Sequence, residues 1–266
     1  MESVSGAPIL ITSEGSEPLR EGTTLPPAGR LSLGEESRVT LSEGSRTLEL
    51  FRRGLYEIGE LFTFRPLGRI DFEGVFEARI KRLNLESKDS GTDTLIATRS
   101  PNGSGGDGLS GLGEGARELA RGNYAAAREE LVAFIREEGG NAEKSTLHVA
   151  QILTAQAAYF QEDNGVAYQT LSEIEPSRDH SHFPLYELLK AQLLVESHAF
   201  GDALEVLAEF LRQPRGSDAD LQTARLLTGV AYEGLGNFPV ARTYYRRATS
   251  PDPTTPAAKA ARRLLE

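Results

Sequence analysis

The stretch 229–248, GVAYEGLGNFPVARTYYRRA, with Pro251-Asp252-Pro253 just beyond it, decides the architecture of this chain. Its landmarks are Gly229, Tyr232, Gly236, Phe238, Ala241, Tyr245 and Ala248. The same frame falls on Gly115, Gly122, Tyr124, Ala127, Leu131 and Phe134. It falls again on Ala155, Ala158, Asn164, Ala167, Leu171 and Ile174, and on Ala191, Leu194, Phe200, Ala203, Leu207 and Phe210. Successive copies begin 40, 36 and 38 residues apart (115 to 155, 155 to 191, 191 to 229). A period of that size marks one supersecondary unit stacked upon itself.

Let Gly229 be the eighth position of its unit. The eighth and twentieth positions are then always small (Gly115, Ala155, Ala191, Gly229; Ala127, Ala167, Ala203, Ala241), so two antiparallel helices can approach closely. The twenty-fourth and twenty-seventh (Leu131, Phe134; Leu171, Ile174; Leu207, Phe210; Tyr245, Ala248) fill the space between units. Gly122-Asn123-Tyr124 and Gly236-Asn237-Phe238 supply a helix-ending glycine followed by an aromatic wedge. The second unit departs most, with Glu162 and Asn164 where glycine and an aromatic are expected. Pro256 opens a last helix, 257–265, that suits the cap such an array needs at its open end.

This register resembles the tetratricopeptide repeat over residues 111–266. The resemblance implies an all-α superhelix of four hairpins plus the capping helix, whose first helices line a concave groove for protein or peptide partners. In that register the groove presents Gln156, Tyr159, Gln192, Val195, Glu196, Val230 and Glu233. The two glutamines and the tyrosine would hydrogen-bond an extended peptide backbone over a floor of Val195 and Val230. The Lys/Asn clamp with which chaperone-binding members hold a free C-terminal carboxylate is absent. Two alternatives stay open: another α-solenoid of the Sel1 or HEAT type or a plain bundle, and a row that merely contacts the β domain or the cap.

The first half has another rhythm. Glycines at 15, 22, 29, 34, 44, 54 and 59 punctuate short runs of period-two alternation: Leu31 and Leu33, Val39 and Leu41, Leu48 and Leu50, Tyr56 and Ile58. Alternation of that kind places one set of side chains on one face of a sheet. The expected fold is a small antiparallel β-sandwich or rolled sheet over residues 1–100, giving an α+β chain of two domains. Apolar residues at 72, 75, 76, 80 and 83 predict one helix packed on the sheet. Pro18-Leu19-Arg20-Glu21-Gly22-Thr23-Thr24-Leu25, the strand Ser37-Arg38-Val39-Thr40-Leu41, then Leu48-Glu49-Leu50-Phe51-Arg52-Arg53-Gly54 and the closing Thr94-Leu95-Ile96-Ala97-Thr98-Arg99 resemble the FecR-like domain. Ser100-Pro101 stands where that family has a glycine. This second resemblance implies an extracytoplasmic module of bacterial regulators and of spirochaete-type envelope proteins. Any small β-sandwich remains the alternative.

Between the halves, residues 102–115 read NGSGGDGLSGLGEG, a flexible joint whose linker proper is set at 101–110. Gly106, Gly108 and Gly111 form a literal G-x-G-x-x-G there. The dinucleotide fingerprint also needs a strand before it and a parallel strand after the helix, and helical repeats follow instead. No cofactor is expected.

Charge and composition narrow the function classes. Residues 1–106 carry 13 basic and 16 acidic side chains, 107–224 carry 9 and 20, and 225–266 carry 7 and 3. So acidic a body argues against nucleic acid, which needs a basic surface to displace counterions. The basic end (Arg242, Arg246, Arg247, Arg262, Arg263) reads as solvated helix faces. Without cysteine there is no disulfide, thiolate catalysis or thiolate metal site. Among four histidines only His180 and His182 stand close, too few for zinc. No serine lies in a nucleophile motif, and the acid pairs Glu129-Glu130 and Glu137-Glu138 sit on solvent-facing helices. No run is long and apolar enough to span a bilayer. Residues 1–7 lack the pattern of a signal peptide, so the expected site is periplasmic with a signal already removed, or else cytoplasmic. The expectation is a non-enzymatic protein-interaction scaffold of the bacterial envelope. Its alternatives are an extracytoplasmic sensing regulator and a peptidoglycan- or polysaccharide-binding module, the latter short of aromatic platforms because the chain has no tryptophan.

Overall fold

A computed structural model describes residues 3–34, 36–43, 46–61, 110–214 and 216–266. The chain is α+β in two parts. The first holds β1 (Ser3–Ser5), β2 (Ile9–Thr12), β3 (Gly15–Pro18), β4 (Arg30–Leu33), β5 (Arg38–Glu43), β6 (Arg46–Leu50) and β7 (Gly54–Glu57), then a one-turn helix α1 (Ile58–Leu61). The strands form two antiparallel sheets, ordered β1-β5-β6 and β3-β2-β4-β7. Pairing sets Val39 opposite Leu50 in one sheet, and Leu10 opposite Leu31 opposite Tyr56 in the other. The alternating residues therefore meet on one side of each sheet. Leu10, Leu31, Leu33, Val39, Leu41 and Leu50, each at most 2 % exposed, close into one core with Leu19, Ile58 and Leu61. The helix expected near 72–83 and the strand expected at 94–99 lie outside the described residues, as does 101–109 of the linker.

Nine helices among the described residues build the second part: α2 (Ser110–Arg121), α3 (Tyr124–Glu138), α4 (Lys144–Phe160), α5 (Asn164–Ser172), α6 (Phe183–Glu196), α7 (Phe200–Arg212), α8 (Asp218–Gly234), α9 (Phe238–Ala248) and α10 (Pro256–Leu265). They pack as four consecutive pairs, α2 with α3 through α8 with α9, and α10 lies on α8 and α9. With the linker proper set at 101–110 and the helical part from 111, the first helix begins at Ser110 and runs through Gly111, Gly113 and Gly115. Packing supplies the reason: a Cβ on Gly115 would stand 2.5 Å from Leu131 Cγ, so the missing side chain is what admits α3.

Several landmarks of the repeated frame have a structural counterpart. Eighth- and twentieth-position alanines are buried, Ala155, Ala191, Ala127, Ala167 and Ala203 at 0 % and Ala241 at 1 %. The fifteenth residue of every unit lies in the left-handed region: Gly122 (φ 81°), Glu162 (φ 63°), His198 (φ 59°) and Gly236 (φ 74°). Two units thus hold a non-glycine where the turn favours glycine, a strained choice. Glu162→Gly is expected to raise stability by about 0.5–1 kcal/mol in chemical denaturation, the folded-state relief outweighing the added chain entropy.

The seventeenth position packs on the thirteenth of the next unit. Tyr124 stacks on Phe160 (centroids 4.6 Å, 17°), Asn164 donates to Glu196 (3.0 Å), and Phe200 fills the space beside Gly234, where a Cβ would lie 2.4 Å from its ring. Phe238, in the fourth unit, is 59 % exposed.

Two polar devices close the far end. Ser217 and Asp220 form a capping box at the start of α8. Buried Gln222 donates to the carbonyls of Ala248 (3.0 Å) and Asp252 (2.8 Å) and accepts from Thr255 Oγ1 (3.2 Å), fixing the turn that delivers Pro256 to α10. Among the described residues no helix is long and apolar enough to cross a membrane.

Candidate partner-binding site

The seven residues expected to line a groove share one register position set on three first helices: Gln156 and Tyr159 on α4, Gln192, Val195 and Glu196 on α6, Val230 and Glu233 on α8. They are far less open than a groove implies. Gln156 and Gln192 are 0 % exposed, Val230 1 %, Val195 3 % and Tyr159 7 %, while Glu196 and Glu233 are half-buried. Val195 and Val230 belong to the continuous helical core.

Glu196 organises the centre. Its carboxylate accepts from Tyr159 Oη (3.0 Å), Asn164 Nδ2 (3.0 Å) and Gln192 Nε2 (2.5 Å), tying α4, α5 and α6 together. Asn164 is thereby explained: an aromatic at its place would oppose a carboxylate, whereas the amide donates to it. That coupling was visible in the sequence only to a reader who already knew that positions seventeen and thirteen touch. Glu233 makes a simpler contact, accepting from Tyr245 Oη at 2.7 Å, and burial with that carboxylate pushes the phenol far above its ordinary pKa. Tyr245 is therefore a permanent donor.

The glutamines are left with unused capacity. Both side-chain polar atoms of Gln156, and the Oε1 of Gln192, are buried without a hydrogen-bond partner. Leaving such a group unsatisfied costs about 1–3 kcal/mol. They occupy the ninth position of successive units, one repeat apart. An orphaned carboxamide carries both a donor and an acceptor, the complement of a peptide group.

A second set of contacts, which sequence reasoning missed, joins the β module to the second helices α5 and α7. The Arg52 guanidinium donates to Tyr168 Oη (2.5 Å) and pairs with Asp202, and Phe51 packs on the Tyr168 ring at 5.0 Å. Tyr56 Oη donates to the Arg52 carbonyl (2.8 Å), and burial pushes that phenol up to about 12. Arg38 donates to Gln169 (3.0 Å) and faces Asp163 at 4.0 Å. Glu49 accepts from the Gly165 N–H (3.3 Å) at the start of α5, and burial holds its carboxyl above the ordinary value against that bond and Arg38. A Cβ at Gly165 would come within 2.8 Å of both Arg38 and Glu49. The one available signal was a glycine in the first turn of a helix that is otherwise ordinary. None of these contacts touches the seven groove residues. Arg52→Ala together with Gly165→Gln is expected to release the β module while far-ultraviolet circular dichroism stays unchanged; small-angle scattering would read the release as a larger radius of gyration.

Among the described residues no three His, Asp or Glu side chains converge as a metal site. No protein-family model, curated protein or solved structure matches the chain.

Proposed function

We propose that the chain is a non-catalytic scaffold that holds an extended segment of another protein against the first helices of its repeats, in a bacterial cell envelope. The observation that carries this reading is the set of three orphaned polar atoms, both of Gln156 and the Oε1 of Gln192, at equivalent positions one repeat apart. A core selected for stability alone would place apolar side chains there. Retaining three unsatisfied polar atoms costs stability, and such losses concentrate where function requires the groups. The envelope location rests on the likeness of residues 18–99 to FecR-like modules, as does the tetratricopeptide reading on the likeness of 111–266 to that repeat. In this reading the first helices part enough to admit the segment, and the β module braces the opposite side through α5 and α7. The polysaccharide alternative has less support: the cleft on the β module lined by Ala7, Ile9, Ser32, Leu33, Gly34 and Arg53 has no aromatic wall.

The test separates binding from folding. Gln156→Leu removes two orphaned atoms at nearly constant volume and is expected to raise stability by about 1–2 kcal/mol. The same change is expected to abolish retention on an immobilised array of extended peptides that holds the wild-type chain. Tyr159→Ala with Gln192→Ala is expected to lose retention with helicity intact. Undiminished retention by both variants would remove the first-helix row as the site.

A further inference from the structure

The arginines of the helical part fall into two groups. Every described arginine between 110 and 224 has a carboxylate partner: Arg117 with Glu114, Arg121 with Glu118, Arg128 with Asp163, Arg136 with Glu137, and Arg178 and Arg212 with Glu209. Among the described residues from 225 onward, Arg225, Arg242, Arg246, Arg247, Arg262 and Arg263 have none. Arg225 donates instead to the carbonyls of Arg247 and Ser250 (3.1 Å each), Arg262 to that of Ala258 (3.4 Å), and Arg247 lies over the Tyr244 ring at 5.6 Å. Arg242 and Arg246, exposed on α9, are left without an acceptor among the described residues. The same helix opens with Phe238, and the turn before it holds Leu235, 55 % exposed. These are the two most exposed large apolar side chains among the described residues. Phe238, Arg242 and Arg246 recur every fourth residue and form one ridge along α9. Single exposed apolar residues are ordinary, but two at one turn, rimmed by unpaired charge, have the pattern of an interaction surface.

The complement is carried by this chain itself. On α3 the exposed Glu129 and Glu130 make no ion pair among the described residues, and Val132 beside them is 46 % exposed. Helical spacing lines up Ala125, Glu129 and Val132, and the exposed alanines at 125 and 126 leave a shallow furrow there. Charge divides the same way on the larger scale, with 9 basic and 20 acidic side chains over 107–224 against 7 and 3 over 225–266. A ridge of one aromatic and two arginines thus matches a furrow of small side chains and two glutamates. Within one chain two hairpins stand between α3 and α9, so each surface meets the other only in a second molecule.

We propose that the chain associates with a second copy of itself, α9 of one molecule lying on α3 of the other. Phe238 then covers Ala125, Ala126 and Val132, while Arg242 and Arg246 face Glu129 and Glu130. Each molecule carries both surfaces, so a two-fold pair makes the contact twice. Surfaces this small give a weak complex, with a Kd of about 10–100 μM, and leave the chain a monomer with Phe238 open at about 1 μM. Both helices are second helices of their hairpins, so the association is independent of what the first-helix row binds.

Sedimentation velocity of the full chain tests this. In about 50 mM salt the wild-type chain is expected to sediment as a monomer at about 1 μM and mainly as a dimer at about 200 μM. Raising salt to about 500 mM screens the charges and is expected to weaken the dimer about tenfold. Arg242→Glu with Arg246→Glu is expected to stay monomeric at the higher concentration, and so is Glu129→Lys with Glu130→Lys. An equal mixture of these two variants is expected to associate again, because each then meets its opposite charge, and that recovery also shows both to be folded. A wild-type chain that stays monomeric, association that survives both double variants, or a mixture that does not recover overturns the proposal. So does a monomeric chain that binds phosphatidylglycerol vesicles or poly-glutamate through this end, since the surface would then belong to that occupant.

Discussion

Phe200→Ala is expected to lower the stability of the helical half by about 3–5 kcal/mol, whereas Phe238→Ala should cost less than about 0.5 kcal/mol. Both are the seventeenth residue of their unit and both open a second helix, so propensity treats them alike. Their surroundings differ. Phe200 is 6 % exposed, its ring occupying the space that a Cβ on Gly234 would claim, so truncation opens a cavity that α8 cannot collapse to fill. Phe238 is 59 % exposed and has no such socket. Urea denaturation of the two variants with unchanged slopes gives the comparison directly. Equal losses would mean that Phe238 is covered in solution, and would sink the account of wedge and socket.

Gly229→Ala is expected to cost about 2–3 kcal/mol, near the upper end for overpacking by one carbon. The added Cβ would stand 2.4 and 2.5 Å from two ring atoms of Tyr245, itself 1 % exposed and held by Glu233. The two middle hairpins show how to relieve the conflict. There the same two positions are Ala155 with Leu171, and Ala191 with Leu207, all buried at no more than 0 % exposure. Gly229→Ala combined with Tyr245→Leu recreates that pairing and is expected to recover most of the loss, since Glu233 is half-buried and can turn to water when its donor goes. A double-mutant cycle on denaturation midpoints checks it. Strictly additive losses would show that glycine is needed at 229 for some reason other than the Tyr245 ring.

These two pairs show which parts of the fold a linear reading can reach. Ala127, Ala167, Ala203 and Ala241 could be named as helix-contact positions because a helix returns its side chains to one face at fixed spacing, and a stack returns whole helices at fixed spacing again. Leu31, Leu33, Val39 and Leu41 were legible for the corresponding reason in strands. The candidate site was legible only as a register. Gln156, Tyr159, Gln192 and Glu196 do lie together on adjoining first helices, but their burial and the orphaned amides depend on how closely α4 and α6 approach.

What the sequence determined by itself is therefore the local grammar: two halves, the alternation that makes strands, and the recurring small and large residues that make paired helices. Each of those rests on a spacing that recurs, along one element or from one hairpin to the next, and so leaves a period in the sequence. The tertiary structure alone decided the contacts between surfaces far apart in the chain: Arg52 on Asp202, Glu49 on the first turn of α5, Arg38 on Gln169. Such contacts leave no period, because each is made once. Their free energy comes from burying one particular pair of surfaces together, and no spacing rule can announce it.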